Sequence, residues 1–328
     1  MRYATGLMVM LLSGLLWAQE DVADVPSERL QANDDPQKSY FLIGPYKDAP
    51  RPEGGYRLLL ILPGGDGSAD FHPFCKRIYK YALTSDYLVA QLVAPKWSDD
   101  QFEKLVWPTR ANPWSTAEFT TEEFVEAVIA DVKKRYPIDA RYVFALGWSS
   151  GGPPVYSVAL QEKTPLRGAF IAMSVFKPNQ LPPLKNANGR CFYILHSPED
   201  FIPIRMAEQA EQQLSENGAR VQFATYEGGH GWRGDVYGNI QAGIRWLESQ
   251  AVKPPPKAAP KKDKAAPKKG KPSSAQAKPA SRKKSAIALI PIARAEFTFA
   301  TLLQVPPASR GEPRFPLPAG GTSRRGSA

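Results

Sequence analysis

The stretch ARYVFALGWSSGGPPVYSVALQEK (140–163) is where the fold is decided. Its first part is apolar and rich in strand formers, and its last part carries prolines near the start of a helix-like run, where proline is tolerated. Between them two serines stand among glycines. Gly147-Trp148-Ser149-Ser150-Gly151 fits the pattern G-x-S-x-G in a strand–turn–helix setting. There the chain reverses so sharply that side chains flanking the serine would collide with the neighbouring strand and helix, so glycine is required. The register selects Ser149, because Ser150 would need a glycine at 148 and finds Trp148. A plain Gly/Ser turn is the bland alternative, and only the rest of the chain separates the two.

Working outward, strand-like and helix-like stretches alternate. SYFLIGP (39–45), YRLLLILPGG (56–65), YLVAQLVAP (87–95), GAFIAMSV (168–175), RCFYILHSPED (190–200) and RVQFATYEGGHGW (220–232) read as strands. The apolar run within 56–65, ending in a glycine turn, is the mark of a strand covered on both faces. TTEEFVEAVIADVKKRY (120–136) reads as a helix opened by a Thr120/Glu123 capping box. IRMAEQAEQQLSENG (204–218) and DVYGNIQAGIRWLESQ (235–250) read as two more. The pattern predicts an α/β domain over 39–252, with a mostly parallel sheet and helices on both faces.

A serine nucleophile needs a base, and the chain has three histidines, His72, His196 and His230. His230 lies in EGGHGW, between the last strand and the last helix, flanked by glycines that let its loop bend. His196 ends a strand and suits a structural hydrogen bond, and His72 follows a glycine turn. An orienting carboxylate is offered by Glu199 or Asp200 in HSPEDFIPI. An oxyanion needs donors, and LPGGDGS (62–68) places backbone N–H groups near Gly65, with Ser150 N–H as the partner. The segment 96–119 carries Trp97, Trp107 and Trp114 and is long for a connection without structure of its own. Asp66, Trp107, Trp148 and Trp232 are the candidates for substrate contact. Three scattered histidines make no metal site, and no cofactor is expected.

These residues together resemble the α/β-hydrolase superfamily over about 39–250. The resemblance is to secreted esterases of the polyhydroxybutyrate depolymerase, feruloyl esterase and phospholipase/carboxylesterase groups. His196-Ser197-Pro198-Glu199-Asp200-Phe201-Ile202-Pro203 matches their HGxxDxxVP segment, and Gly229-His230-Gly231-Trp232 matches a Gly-His-Gly-Trp segment. The resemblance implies a Ser149–Asp200–His230 triad acting on esters through an acyl-enzyme. The oxyanion turn departs from the family, with Pro63-Gly64 where His-Gly is frequent, which leaves the second donor open between Gly65 and Asp66. Two other readings stand beside it: a peptidase similar to prolyl oligopeptidases, and a silent envelope-associated binding module.

Composition bounds the rest. The net charge is +10, yet residues 253–328 hold 17 Lys and Arg against Asp263, Glu296 and Glu312, a surplus of +14 that leaves −4 for 1–252. The basic character belongs to the C-terminal segment and predicts no specific nucleic-acid partner for the domain. MRYATGLMVMLLSGLLWA (1–18) has a signal-peptide layout, one Arg before a short apolar run, so export without a transmembrane span in the mature chain is expected. Residues 19–38 are read as a flexible lead-in. The Lys/Pro/Ala stretch 253–285 is expected to be disordered and 286–328 poorly ordered, with anionic envelope polymer as its candidate partner. Cys75 and Cys191 define no disulfide framework.

Overall fold

A computed structural model describes residues 21–251. The chain divides into two units, Met1–Lys257 and Ala258–Ala328, and the second lies outside the described residues. The signal-peptide reading of 1–18 and the disorder readings of 253–285 and 286–328 lie outside them as well.

Eight strands form one sheet: β1 Ser27–Gln31, β2 Ser39–Ile43, β3 Tyr56–Leu62, β4 Tyr87–Leu92, β5 Ile138–Trp148, β6 Gly168–Ala172, β7 Cys191–His196 and β8 Arg220–Thr225. Their order is β1-β2-β4-β3-β5-β6-β7-β8. β1 and β2 are antiparallel to their neighbours, and every pairing from β4 to β8 is parallel. The helices are α1 His72–Ala82, α2 Asp99–Lys104, α3 Thr121–Arg135, α4 Gly152–Ala159, α5 Arg205–Glu216 and α6 Val236–Ala251.

The sheet has two cores because side chains alternate along each strand. Leu58, Leu60 and Leu62 of β3 point to the face covered by α3, α4 and α5, where Phe124, Val128, Val155 and Leu214 pack. Leu59 and Ile61 point to the other face, where Ile78 of α1 and Ile240, Ile244 and Leu247 of α6 pack. All of Leu58–Leu62 is fully buried, which explains why these five positions are apolar without a break. The Thr120/Glu123 capping box is present at the start of α3. Cys75 and Cys191 are both buried on the α1/α6 face and form no disulfide. No described helix is long and apolar enough to cross a membrane.

Two expectations need correction. Residues 21–38 are not a flexible lead-in: Val22 and Val25 are buried, and β1 pairs with β2 along its whole length. The sequence conceals the strand because only Leu30 of SERLQ turns inward, as suits a polar edge strand. Asp21 and Asp24 then bind Arg77 and Lys80 of α1 at 2.7 Å each. The stretch 96–119 also has structure of its own. Ser98 caps α2, and the side chain of Gln101 donates to the Leu105 carbonyl at 2.6 Å.

His72 tethers the edge of the sheet. Its Nδ1 lies 3.0 Å from Gln91 Oε1 and its Nε2 lies 3.0 Å from Ser27 Oγ, while Phe41 stacks on the ring. Gln91 Oε1 only accepts, so Nδ1 carries the proton and Nε2 accepts from the serine. Burial lowers the His72 pKa, with Lys76 pushing the same way against the Gln91 hydrogen bond. The unfolded chain therefore holds more protons than the folded one just below the free imidazole value of about 6.5. Stability contributed by this ring is present above that value and is lost as the pH falls through and below it. Urea midpoints measured between pH 7.5 and 5 should fall with acidification, and His72→Gln should flatten that fall.

Candidate active site

β3, β5, β7 and β8 run parallel, so the loops that follow them open at one edge of the sheet. That carboxyl edge is where sheets of this class gather their ligand sites. Four loops meet there: 63–68 after β3, the turn at Ser149 after β5, 197–204 after β7, and 226–235 after β8.

The turn after β5 is held by contact. A Cβ on Gly151 would lie 2.0 Å from the Leu62 carbonyl oxygen, and one on Gly147 would lie 2.2 Å from the Gly151 carbonyl oxygen. No residue but glycine fits either position. Ser149, between them, has φ +51°, a left-handed conformation that costs a non-glycine residue about 1–2 kcal/mol. Its carbonyl accepts from Ser174 Oγ at 2.8 Å, which anchors the strained residue from the end of β6.

His230 must reach Ser149 from a strand three places away in the sheet, about 14 Å at ordinary strand spacing. The loop bends back through Gly228, Gly229 and Gly231, all at positive φ. His230 Nε2 arrives 3.1 Å from Ser149 Oγ. Its Nδ1 lies 2.9 Å from each carboxylate oxygen of Asp200. The Asp200 side chain is fully buried and also accepts from Ile202 N–H at 2.8 Å. The three residues singled out in the sequence are thus joined in one hydrogen-bonded chain, and Asp200, not Glu199, faces the imidazole.

Glu199 holds the loop instead. Its Oε2 accepts from Ser197 Oγ at 2.7 Å and from Gly228 N–H at 3.1 Å. The Ser197 hydroxyl, followed by that N–H, keeps its carboxyl below the usual carboxylate range. Ser197 Oγ in turn accepts from Gly229 N–H at 3.1 Å, and Tyr226 Oη donates to the Gly229 carbonyl at 2.9 Å. Burial, with Asp200 nearby, raises the Tyr226 pKa, so its hydroxyl stays a donor. Ser197 and Tyr226 are not among the site residues the sequence singles out. Their signal was proximity in sequence to His196 and His230, with a hydroxyl at each place. His196 is structural as expected, buried with Nε2 2.8 Å from the Ile202 carbonyl.

The loop after β3 leans on the serine turn. Ser150 Oγ donates to the Gly65 carbonyl at 2.8 Å, and Ala94 N–H donates to the Gly67 carbonyl at 2.9 Å. Gly65 and Asp66 are exposed, and Asp66 Oδ1 accepts from Ser68 N–H, an Asx turn.

The tryptophans mostly depart from their expected place. Trp107 is 2% exposed and donates from Nε1 to the Pro63 carbonyl at 3.1 Å, so it braces this loop from beneath and walls no pocket. Trp148 is 4% exposed, under Gly64 and edge-on to Phe71, Phe74 and Trp232. Their indoles are large enough that packing the loop outweighed display. Trp232 stays half-buried, two residues from His230. Trp97 packs edge-on against Phe119. No cluster of three or more metal-ligating side chains occurs among the described residues.

Ser197→Ala would take the acceptor from the half-buried Gly229 N–H, a cost of about 1 kcal/mol because water can reach part of the site. If this bond positions the imidazole, steady-state kinetics should show kcat falling with KM little changed. Gly151→Ala should do more, lowering the melting temperature, because backbone is what a methyl group would strike.

Comparison with protein-family models and with curated protein sequences gives no match. Solved structures do match. A thermostable esterase aligns over 70% of this chain at 21% identity and TM-score 0.51, and the chain spans 63% of that esterase's length. The Francisella virulence factor BioJ aligns over 73% of this chain and 91% of its own at 14% identity and TM-score 0.54. A variant of the esterase rPPE aligns over 73% and 88%, at 14% and 0.51. At such identities the likeness speaks for architecture, and with the strand order and the turn after β5 it gives one conclusion: this chain has the α/β-hydrolase fold.

Proposed function

We propose that the chain is a serine hydrolase of carboxylic esters. The observation that carries this reading is the hydrogen-bonded chain from Ser149 Oγ through His230 to the buried carboxylate of Asp200. A seryl hydroxyl is a weak nucleophile unless a base takes its proton as it attacks. Here Nε2 is the base, and the Nδ1–Asp200 contact fixes the tautomer that leaves Nε2 free to accept.

The reaction balances without a cofactor. Ser149 Oγ bonds to the ester carbonyl carbon while its proton moves to His230 Nε2. The tetrahedral oxyanion is stabilised by Ser150 N–H together with the N–H of Gly65 or Asp66. The ester C–O bond breaks, the departing alkoxide takes the proton from Nε2, and the alcohol leaves. Water then gives a proton to Nε2 and its oxygen to the acyl carbon; the bond from that carbon to Ser149 Oγ breaks, Oγ takes the proton back from Nε2, and the acid leaves. One oxyanion donor is typically worth about 3–4 kcal/mol in the transition state.

The matched esterases favour esters over peptides as substrates. The chain's apolar N-terminal stretch favours export, and fractionation of cells expressing the full chain tests that part separately.

A fluorophosphonate should label the protein at Ser149, and Ser149→Ala should abolish both labelling and p-nitrophenyl acetate turnover. Asp200→Asn should keep the fold yet lower kcat by roughly four orders of magnitude through the wrong imidazole tautomer. A protein that takes no label and turns over no ester would be a binding module instead. Turnover of peptide anilides with none of esters would favour the peptidase reading.

A further inference from the structure

We infer that Phe201 forms a platform for the alcohol half of the substrate, and that the preferred esters carry an aryl or benzylic alcohol. This inference rests on the ester-hydrolase reading and adds a substrate class to it.

Phe201 is 69% exposed, and it and Tyr81 are the large hydrophobic side chains that stand open to solvent among the described residues. It is also the residue next to Asp200. Its ring lies 4.3 Å from the imidazole of His230, centroid to centroid, tilted by 41°.

The exposure is imposed by a rigid turn. Asp200 N–H donates to the Ser197 carbonyl, and Ile202 N–H donates to Asp200 Oδ1. The Ile202 carbonyl is held by buried His196. Asp200 and Ile202 are both buried, and the residue between them is thrown outward. The Asp200 carboxylate already has its partners in His230 and Ile202 N–H. The phenyl ring makes no hydrogen bond to that network and presents an apolar surface to water beside the proton donor.

Chemistry says which half of an ester would meet it. Nε2 returns its proton to the departing alkoxide, so the alcohol oxygen must come within hydrogen-bond reach of that atom, about 3 Å. A group one or two bonds beyond that oxygen is in range of a ring lying against the same imidazole. A methyl group is too short to cover it. A phenyl or benzyl group can lie against it in the offset or tilted arrangements that aromatic pairs prefer. The acyl half stays bonded to Ser149, at the loop of Gly65 and Ser150, and the platform should be indifferent to it.

The test holds the acyl group fixed and varies the alcohol, with benzyl acetate and methyl acetate on the full chain. Phe201→Ala should lower kcat/KM for benzyl acetate about tenfold, mainly through KM, and change methyl acetate less than about twofold. Phe201→Leu should recover part of the loss. Equal losses on both esters would overturn the platform and assign the ring to holding His230, and so would no change on either. Failure of the unaltered protein to turn over either ester or to take a fluorophosphonate label would overturn the hydrolase reading itself, which separates the two failures.

Discussion

The constraint on which the rest depends is the closeness of the chain to itself at Gly151. Its Cα faces the Leu62 carbonyl so tightly that a single methyl group would overlap it. This contact joins the ends of β3 and β5, adjacent in the sheet. It sets the angle at which α4 departs and forces Ser149 into a left-handed conformation. The serine is exposed to its partners because two glycines leave it no other path. Strain of this kind persists only where the surroundings over-determine it. Here the surroundings are the two cores, with Leu58–Leu62 of β3 fully buried between α3–α5 on one side and α1 and α6 on the other.

Much of this was legible because the physics is local. The G-x-S-x-G spacing, the continuous apolar run of β3 and the glycine-flanked His230 each follow from steric or burial demands that one short stretch must meet alone. What was not legible depends on partners distant in sequence. β1 is a strand because β2 offers it an edge, and its own residues show one inward side chain in five. Helix α1 is the exception, absent from the sequence expectations although Cys75, Ile78, Tyr79 and Ala82 repeat locally at helical spacing. Trp107 reads as display when taken alone, but the Pro63 carbonyl, 44 positions earlier, turns it inward.

Glu199 and Asp200 show the same limit at the scale of two neighbours. Both are carboxylates in one loop, and proximity alone does not divide their tasks. The buried network does: Asp200 receives the imidazole and Ile202 N–H, whereas Glu199, at the surface, receives Ser197 and Gly228. The charge balance is as uneven between segments. The domain region is slightly acidic and the segment after residue 252 strongly basic, so the overall surplus says nothing of the electrostatics around Ser149.

The hydrogen bonds also divide the site into two assemblies. The Ser149 side is laced by Ser150 to Gly65, Trp107 to Pro63 and Ser174 to Ser149. The His230 side is laced by Ser197, Glu199 and Tyr226 to the glycines before His230. The two meet at the 3.1 Å contact between Ser149 and His230. In the proposed acyl-enzyme, an acyl group on the serine oxygen would part this seam and leave the lacing on either bank intact. On that reading a turnover would open and reclose this hydrogen bond while the surrounding ones stay made, so little reorganisation energy would be needed to return to the starting geometry.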